Sequence, residues 1–183
     1  MLSVFNSDLG FFAVRAEGEG VAALTFAARD PQQAMRRLQA RLDVAPLNPL
    51  QRTDSRLPEW FRTTLRLLEQ YAAGEPIDLS QTPVVYPAAT EFRRRIWLAC
   101  REVAYGETCS YGELASRAGR PGAARAVGSA MKSNATPLLV PCHRIVASGG
   151  KPGGYSGADG VSTKMRLLSM EGRYATTAAN RVG

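Results

Sequence analysis

The first 85 residues contain no cysteine, no histidine and no lysine. That absence excludes a zinc site of thiolates and imidazoles in this half, because such sites need those ligands at short spacing. The 183-residue chain has one histidine, His143, and three cysteines, Cys100, Cys109 and Cys142. An odd number at unrelated spacings argues against a disulfide framework and for a reducing compartment. No run approaches the roughly 18 apolar residues that a membrane span needs. The stretch Met1 to Phe12 lacks a basic region ahead of an apolar block, so no signal peptide is expected. A composition of 45% hydrophobic and 21% charged residues fits an ordinary globular protein, here of cytoplasmic type.

Charge is divided unevenly. From Met1 to Val85, nine Arg stand against ten Asp and Glu, whereas from Tyr86 onward 14 Lys and Arg stand against six Asp and Glu. The whole excess of +7 therefore lies in the second half. A basic half-chain is the electrostatic footprint of a polyanion partner, although a solvated basic face has the same composition.

In the first half, short β-like runs at Leu2 to Phe5, Phe11 to Val14 and Val21 to Phe26 alternate with turns at Asp8 to Gly10 and Gly18 to Gly20. This pattern predicts a small antiparallel meander. A helix is expected from about Pro31 to Leu42, with Met35, Leu38 and Leu42 along one side. After a loop at Val44 to Ser55, a second helix starts near Pro58. Its stripe of Phe61, Leu65, Leu68 and Ala72 ends at Gly74. Ile77 to Pro87 reads as a crossover between domains. No cluster of reactive residues stands out here, which favours a scaffold role.

The second half is mostly helical. Phe92, Ile96, Ala99 and Val103 form one stripe of a helix over about Thr90 to Val103, which contains Cys100 as a small buried hydrophobe. Tyr105 to Glu107 is a turn. Ser110 with Glu113 forms a capping-box pattern opening a helix Tyr111 to Ala118. Gly119-Arg120-Pro121-Gly122 breaks it, and a helix from Ala123 to about Ser133 follows, with Ala124, Val127, Gly128 and Met131 as its buried face. Helix, glycine-containing break and helix in a basic context make a helix-turn-helix pattern, one also found in helical hairpins that never touch DNA. Small residues cover much of the second helix, so its backbone can approach a groove wall. Arg125 projects from that surface beside Arg120.

An apolar run, Leu138 to Val140, reads as a strand leading into Pro141-Cys142-His143-Arg144. A thiol at its ordinary pKa near 8.5 is only ~3% thiolate at pH 7, so a nucleophilic cysteine needs a base or a positive environment. His143 can be that base only through a bend of the backbone or a bridging water, because neighbours on a strand point to opposite faces. The alternative is a buried cysteine beside a surface histidine. On a C-terminal helix ended by Gly172, Lys164, Leu167, Leu168 and Glu171 fall at i, i+3, i+4 and i+7. Glu171 thus shares a face with two leucines and needs a buried partner. Cys142, His143 and Glu171 are therefore a candidate nucleophile, base and orienter.

Taken together, Pro141-Cys142-His143-Arg144, Asn134, the helix around Arg125 and Gly154-Tyr155-Ser156-Gly157 resemble the O6-alkylguanine-DNA alkyltransferases over roughly Thr90 to Gly172. The resemblance implies a ribonuclease-H-like α/β architectural domain over 1–85 and a mostly α, winged-helix-like helix-turn-helix domain over 86–173, with a flexible tail at 174–183. Cys142 would accept the alkyl group from O6-alkylguanine, or from O4-alkylthymine, irreversibly and once per molecule. His143 would deprotonate it through a water, with Glu171 orienting the imidazole. Tyr111 would protonate the departing guanine, and Asn134 would tie the recognition helix to the cysteine loop. Arg125 would enter the duplex from the minor groove and fill the gap left by the flipped base. Arg93, Gly112, Arg120 and Ser148 would lie at the DNA backbone. Tyr155, Ser156, Met131 and Ile145, the last through its carbonyl, would form the base pocket.

The resemblance further implies a monomer acting on double-stranded DNA, without cofactor, metal or membrane, in the cytoplasm or on the nucleoid. The chain has Ala158 where the family has a second Gly. Tyr155 to Glu171 spans 16 positions, longer than in the family, so the loop Gly157 to Thr163 is expected to border the pocket and influence which alkyl groups enter. Two other readings are a damage sensor, which would lack the acceptor cysteine, and a cysteine hydrolase, which would leave the helix-turn-helix unexplained.

Overall fold

The computed structural model describes residues 1–41, 48–50, 54–87 and 89–179, with side chains through residue 172. The chain divides into two compact units, Met1–Pro87 and Ala88–Gly183.

In the first unit, β1 (Leu2–Phe5), β2 (Phe11–Glu17) and β3 (Gly20–Ala28) form an antiparallel meander in chain order. Phe5, Phe12 and Phe26 stack in succession, with ring centroids 5.0 and 5.8 Å apart. Nearly every position of β3 is buried, so both faces of the sheet are covered and strict alternation is lost. Helix α1 (Pro31–Gln39) packs on β2 and β3. Its buried side chains are Ala34 and Leu38, whereas Met35 is only half-buried. Leu42 and much of the expected loop at Val44 to Ser55 lie outside the described residues. Helix α2 (Glu59–Ala72) buries Phe61, Leu65, Leu68 and Ala72 as the periodicity requires, and Gly74 follows it at φ +89°.

The segment Ile77 to Pro87 is not a free crossover. Val21 donates its N–H to the Pro83 carbonyl at 2.9 Å, and Val85 donates to Val21 at 3.0 Å, so this stretch pairs with β3. On the other edge, Leu50 donates to Leu2 at 2.8 Å. Such pairing satisfies edge groups that would otherwise invite another strand.

In the second unit, Thr90 caps α3 (Glu91–Arg101), whose Ile96, Trp97, Ala99 and Cys100 are buried. Phe92 is only half-buried, and Val103 is buried just beyond the helix. The Trp97 indole N–H donates to Ala130 O at 2.9 Å, docking α3 onto α5 (Ala124–Lys132). Between them, α4 (Tyr111–Arg117) opens with a full capping box. Ser110 Oγ accepts from Glu113 N at 3.1 Å, and Ser110 N donates to the Glu113 carboxylate at 2.7 Å. The break between α4 and α5 turns at Gly119 and Gly122, with φ of +72° and +83°. The buried face of α5 is Val127, Ala130 and Met131; Ala124 and Gly128 are only half-buried.

Leu138 to Val140 is not a strand. It is a tight buried turn bridged from Pro137 to Val140, with Leu138 at φ +74°. An apolar run buried on all sides carries no period that separates a strand from a turn. The strands of this unit are instead β4 (Cys109–Ser110) and β5 (Ile145–Val146), paired in parallel and too short to show alternation. Cys142–Arg144 forms a single 3₁₀ turn, so these neighbours do not alternate as they would on a strand.

Helix α6 (Val161–Ala179) does not stop at Gly172. Gly172 is absent from the positive-φ positions, and the alanine-rich sequence after it favours continued helix. The first residues of the expected tail are therefore its last turns, and 180–183 lie outside the described residues.

Ser110→Ala should lose the side-chain half of the capping box and destabilise the second unit by about 1 kcal/mol. Denaturant unfolding in a Trp60→Phe background, followed by the remaining Trp97 fluorescence, would measure this, with Ser110→Asp expected to recover most of it.

Candidate active site

The site is assembled from the 3₁₀ turn, the loop before it, the start of α4, the open face of α5 and the inner face of α6. A cleft of about 760 Å³ is lined by residues that include Tyr111, Arg125, Met131, Cys142, Tyr155 and Ser156. That volume suits a small planar guest. Cys142 is 6% exposed and reaches the cleft wall.

Asn134, just beyond α5, determines the loop that carries the thiol. Its Oδ1 accepts from Thr136 N at 3.0 Å, while its Nδ2 donates to Val140 O at 2.9 Å and to Cys142 Sγ at 3.1 Å. One buried amide thus closes the turn and touches the sulfur.

Behind the thiol, His143 and Glu171 are completely buried. His143 Nε2 lies 2.9 Å from Glu171 Oε1. An ionised carboxylate only accepts hydrogen bonds, so Nε2 carries the proton of the neutral ring. The same carboxylate accepts from both Arg144 Nε and Nη2 at 2.9 Å, and from Gly106 N at 3.2 Å. Arg144 also donates to Val103 O at 2.7 Å and lies over the Tyr105 ring. Burial would raise the Glu171 pKa, but hydrogen bonds and charge from His143 and Arg144 outweigh it and hold the carboxyl well below its usual range. For His143, burial dominates and lowers the pKa against the pull of Glu171, with Arg144 and Lys164 adding to the lowering. At neutral pH the site therefore holds an ionised Glu171 and a neutral imidazole.

Tyr111, the first residue of α4, donates to Gly154 O at 3.4 Å. Burial raises its pKa, aided by the neighbouring Cys142 and Cys100, so the phenol keeps its proton as a donor. Ser156 Oγ donates to Lys132 O at 3.1 Å. The Tyr155 ring lies against Gly157, where any Cβ would stand 2.6 Å from it. This close approach needs glycine.

Of the residues singled out in the sequence, Cys142, Tyr111, Arg125, Gly112, Ser148, Met131, Tyr155 and Ser156 line one cleft. His143, Glu171 and Asn134 stand directly behind it. Arg93 and Arg120 are exposed but do not line it. Ile145 is fully buried, and its carbonyl already accepts from Lys164 Nζ. The lining stops at Ser156, so the long 157–163 loop forms no part of the cleft wall.

Sequence reasoning missed Arg144, Lys164 and Lys132. Lys164 was discoverable: it lies on the same helix stripe as Glu171 and is likewise fully buried. Arg144 carried no signal beyond its place beside His143.

Among the described residues, no group of three or more His, Cys, Asp and Glu is gathered to hold a metal, and no helix is long and apolar enough to cross a membrane.

Comparison with known proteins points the same way as the geometry. Residues 91–173 match the family model of the 6-O-methylguanine DNA methyltransferase DNA-binding domain. The chain is 45% identical over 115 residues to the methylated-DNA–protein-cysteine methyltransferase of Methanosarcina acetivorans, covering 62% of this chain and 70% of that protein. It is 37% identical over 156 residues to that of Mycolicibacterium paratuberculosis, covering 85% and 89%. The fold is similar to Mycobacterium tuberculosis OGT crystallised in complex with DNA, with TM-score 0.71, 30% identity and coverage of 94% and 92%. It is also similar to the O6-methylguanine-DNA methyltransferase of Pyrococcus kodakaraensis, with TM-score 0.69, 26% identity and coverage of 94% and 99%.

Glu171→Gln leaves the Arg144 guanidinium buried without its anion and should cost about 3 kcal/mol at pH 7. A carboxyl with a depressed folded pKa stabilises fully above its unfolded pKa, near 4.3, and loses that contribution as pH falls. The gap between wild type and variant should therefore narrow below about pH 4 in urea unfolding measured across pH.

Proposed function

Because the chain belongs to the methylated-DNA–protein-cysteine methyltransferases, we propose that Cys142 is the acceptor and that the groups around it drive a single irreversible transfer. The protein repairs alkylated guanine in DNA by direct reversal. The observation that carries the residue assignment is the continuous contact from Asn134 to Cys142 at the cleft wall, with the His143–Glu171 pair buried behind it.

The O6-alkyl group of guanine is buried in the base stack, so the base must be extruded into the cleft at a cost of a few kcal/mol. The Cys142 sulfur attacks the alkyl carbon, a C–S bond forms and the C–O bond breaks, leaving its electron pair on guanine. The thiol proton passes to His143 through a water, and the Tyr111 phenol neutralises the departing base. Asn134, donating to the sulfur, favours the thiolate. A thioether is a poor leaving group, so the product persists and each molecule acts once.

Arg125, exposed on the small-residue face of α5, suits entry from the minor groove into the space the base vacates. Gly112, Ser148, Arg93 and Arg120 supply backbone contacts, and Met131, Tyr155, Ser156 and the backbone around Ile145 enclose the base. Because Lys164 occupies the Ile145 carbonyl, that carbonyl would read guanine only by sharing its second lone pair. O4-alkylthymine is a second substrate of the same cleft. In this reading the first unit is a ribonuclease-H-like architectural domain and the second a winged-helix-like reader. The monomer acts in the cytoplasm or on the nucleoid.

Intact mass after incubation with an O6-methylguanine oligonucleotide should show one added methyl group, mapping to Cys142. Cys142→Ser should take up none while still binding DNA, and Cys100→Ser and Cys109→Ser should behave as wild type. Turnover of an ester substrate without a mass change would refute the assignment. Arg125→Ala should impair repair of duplex DNA far more than transfer from the free base, and wild-type DNA binding should weaken steeply with salt. Equal impairment on both substrates would place Arg125 in the pocket or the fold instead.

A further inference from the structure

We propose that Arg144 is a positioning residue of the transfer site: its guanidinium is the standing counter-ion of Glu171, and this leaves His143 neutral to take the cysteine proton. The inference rests on the alkyl-transfer reading of Cys142.

Glu171 has two cationic candidates within hydrogen-bond distance, and their geometry is unequal. Arg144 binds both carboxylate oxygens in a bidentate fork, Nε to Oε2 and Nη2 to Oε1, each at 2.9 Å. His143 makes one contact, to Oε1. The guanidinium is itself held in place, by Val103 O at 2.7 Å and by the Tyr105 ring at 5.7 Å. Arginine is always charged, so this pair is complete before His143 takes on any charge. One further charged group acts on the imidazole: Lys164 on α6, whose Nζ donates to Ile145 O, disfavours the imidazolium. Among the described residues that act on the ring, Glu171 is the anion at rest. Its pull toward an imidazolium is therefore set by how completely Arg144 neutralises it.

With Arg144 present, the Glu171 carboxylate is matched by the guanidinium, and the imidazole and thiol are neutral, with Lys164 nearby. Moving the thiol proton to His143 creates an imidazolium and a thiolate with no change in net charge. With Arg144 neutralised, Glu171 takes its counter-charge from His143. To that extent the ring is protonated before reaction, against the burial that favours its neutral form, and cannot accept the cysteine proton.

His143 is the only histidine in the chain, so its imidazole nitrogens give the only histidine ring signals in a ¹⁵N spectrum of the untagged protein. In wild type at pH 7 we expect a neutral ring protonated at Nε2. In Arg144→Gln the ring should titrate about one unit or more higher. Methyl uptake at pH 7 should fall by up to about threefold when that shift carries the pKa to just above pH 7, and recover as pH rises and the ring loses its proton. Arg144→Lys, which keeps the charge without the fork, should restore the neutral ring and the wild-type pH profile. A folded Arg144→Gln with an unmoved His143 titration and pH profile would overturn the proposal. So would an imidazolium in wild type at pH 7, an outcome that needs no variant to fold. Failure of wild type to take up methyl would count against the transfer reading instead, while the ¹⁵N spectra would still decide the role of Arg144.

Discussion

The buried carboxylate of Glu171 is the interaction on which the second unit's chemistry depends. Removing a carboxylate from water costs several kcal/mol, and that cost is offset only when its lone pairs are filled. Here they are filled from three directions: the imidazole and guanidinium of the 3₁₀ turn, and the Gly106 amide after α3. One charged group carried by α6 thereby holds together the segments that surround the thiol. Two helical turns earlier, Lys164 reaches inward from the same stripe to the carbonyl of Ile145. Opposite charges from one helix face thus hold three successive residues, His143 and Arg144 through Glu171 and Ile145 through Lys164. The position of the loop that carries the thiol and its electrostatics have the same origin.

Asn134 supplies a neutral counterpart on the other side of the loop. Its amide is satisfied by Thr136, Val140 and the Cys142 sulfur. A fully satisfied buried amide specifies one loop conformation, since any other would strand its polar atoms. That conformation includes Leu138 at φ +74°, a left-handed backbone that costs a non-glycine residue of order 1–2 kcal/mol. The strain is sustained because the turn is closed on both sides, and the result is a sulfur fixed at the cleft wall. Opposite it, α5 contributes the small residues Ala124 and Gly128 to the cleft wall, with Arg125 exposed beside them. The thiol and α5 are therefore positioned by one short connection, residues 133–141.

Much of this was legible in the sequence wherever a local rule applied. The 3.6-residue stripe of Phe61, Leu65, Leu68 and Ala72, the capping box at Ser110, the glycine break between α4 and α5 and the inward face of Glu171 each follow from spacing within a few residues. So does the nomination of Cys142: a single histidine beside one of three cysteines, near a carboxylate that needs a partner, is a short inventory. The motifs around Pro141-Cys142-His143-Arg144 carried the family resemblance on the same local basis.

Tertiary structure decided what no local period encodes. Leu138 to Val140 has the composition of a strand but turns, because Asn134 takes the Val140 carbonyl that a neighbouring strand would otherwise have claimed. Val84 pairs with β3 because the edge of that strand is open, a fact absent from the sequence of either segment. Gly172 lies within α6, where the preference of the surrounding helix outweighs the tendency of one glycine to end it. Arg144 and Lys164 become internal charges only because α6 packs on the 3₁₀ turn and brings a carboxylate and a carbonyl within their reach. The sequence by itself determined which residue types were available and which face each helix turns inward. Which buried charges meet was left to the tertiary structure, because hydrogen bonds between segments tens of residues apart depend on packing and not on spacing along the chain.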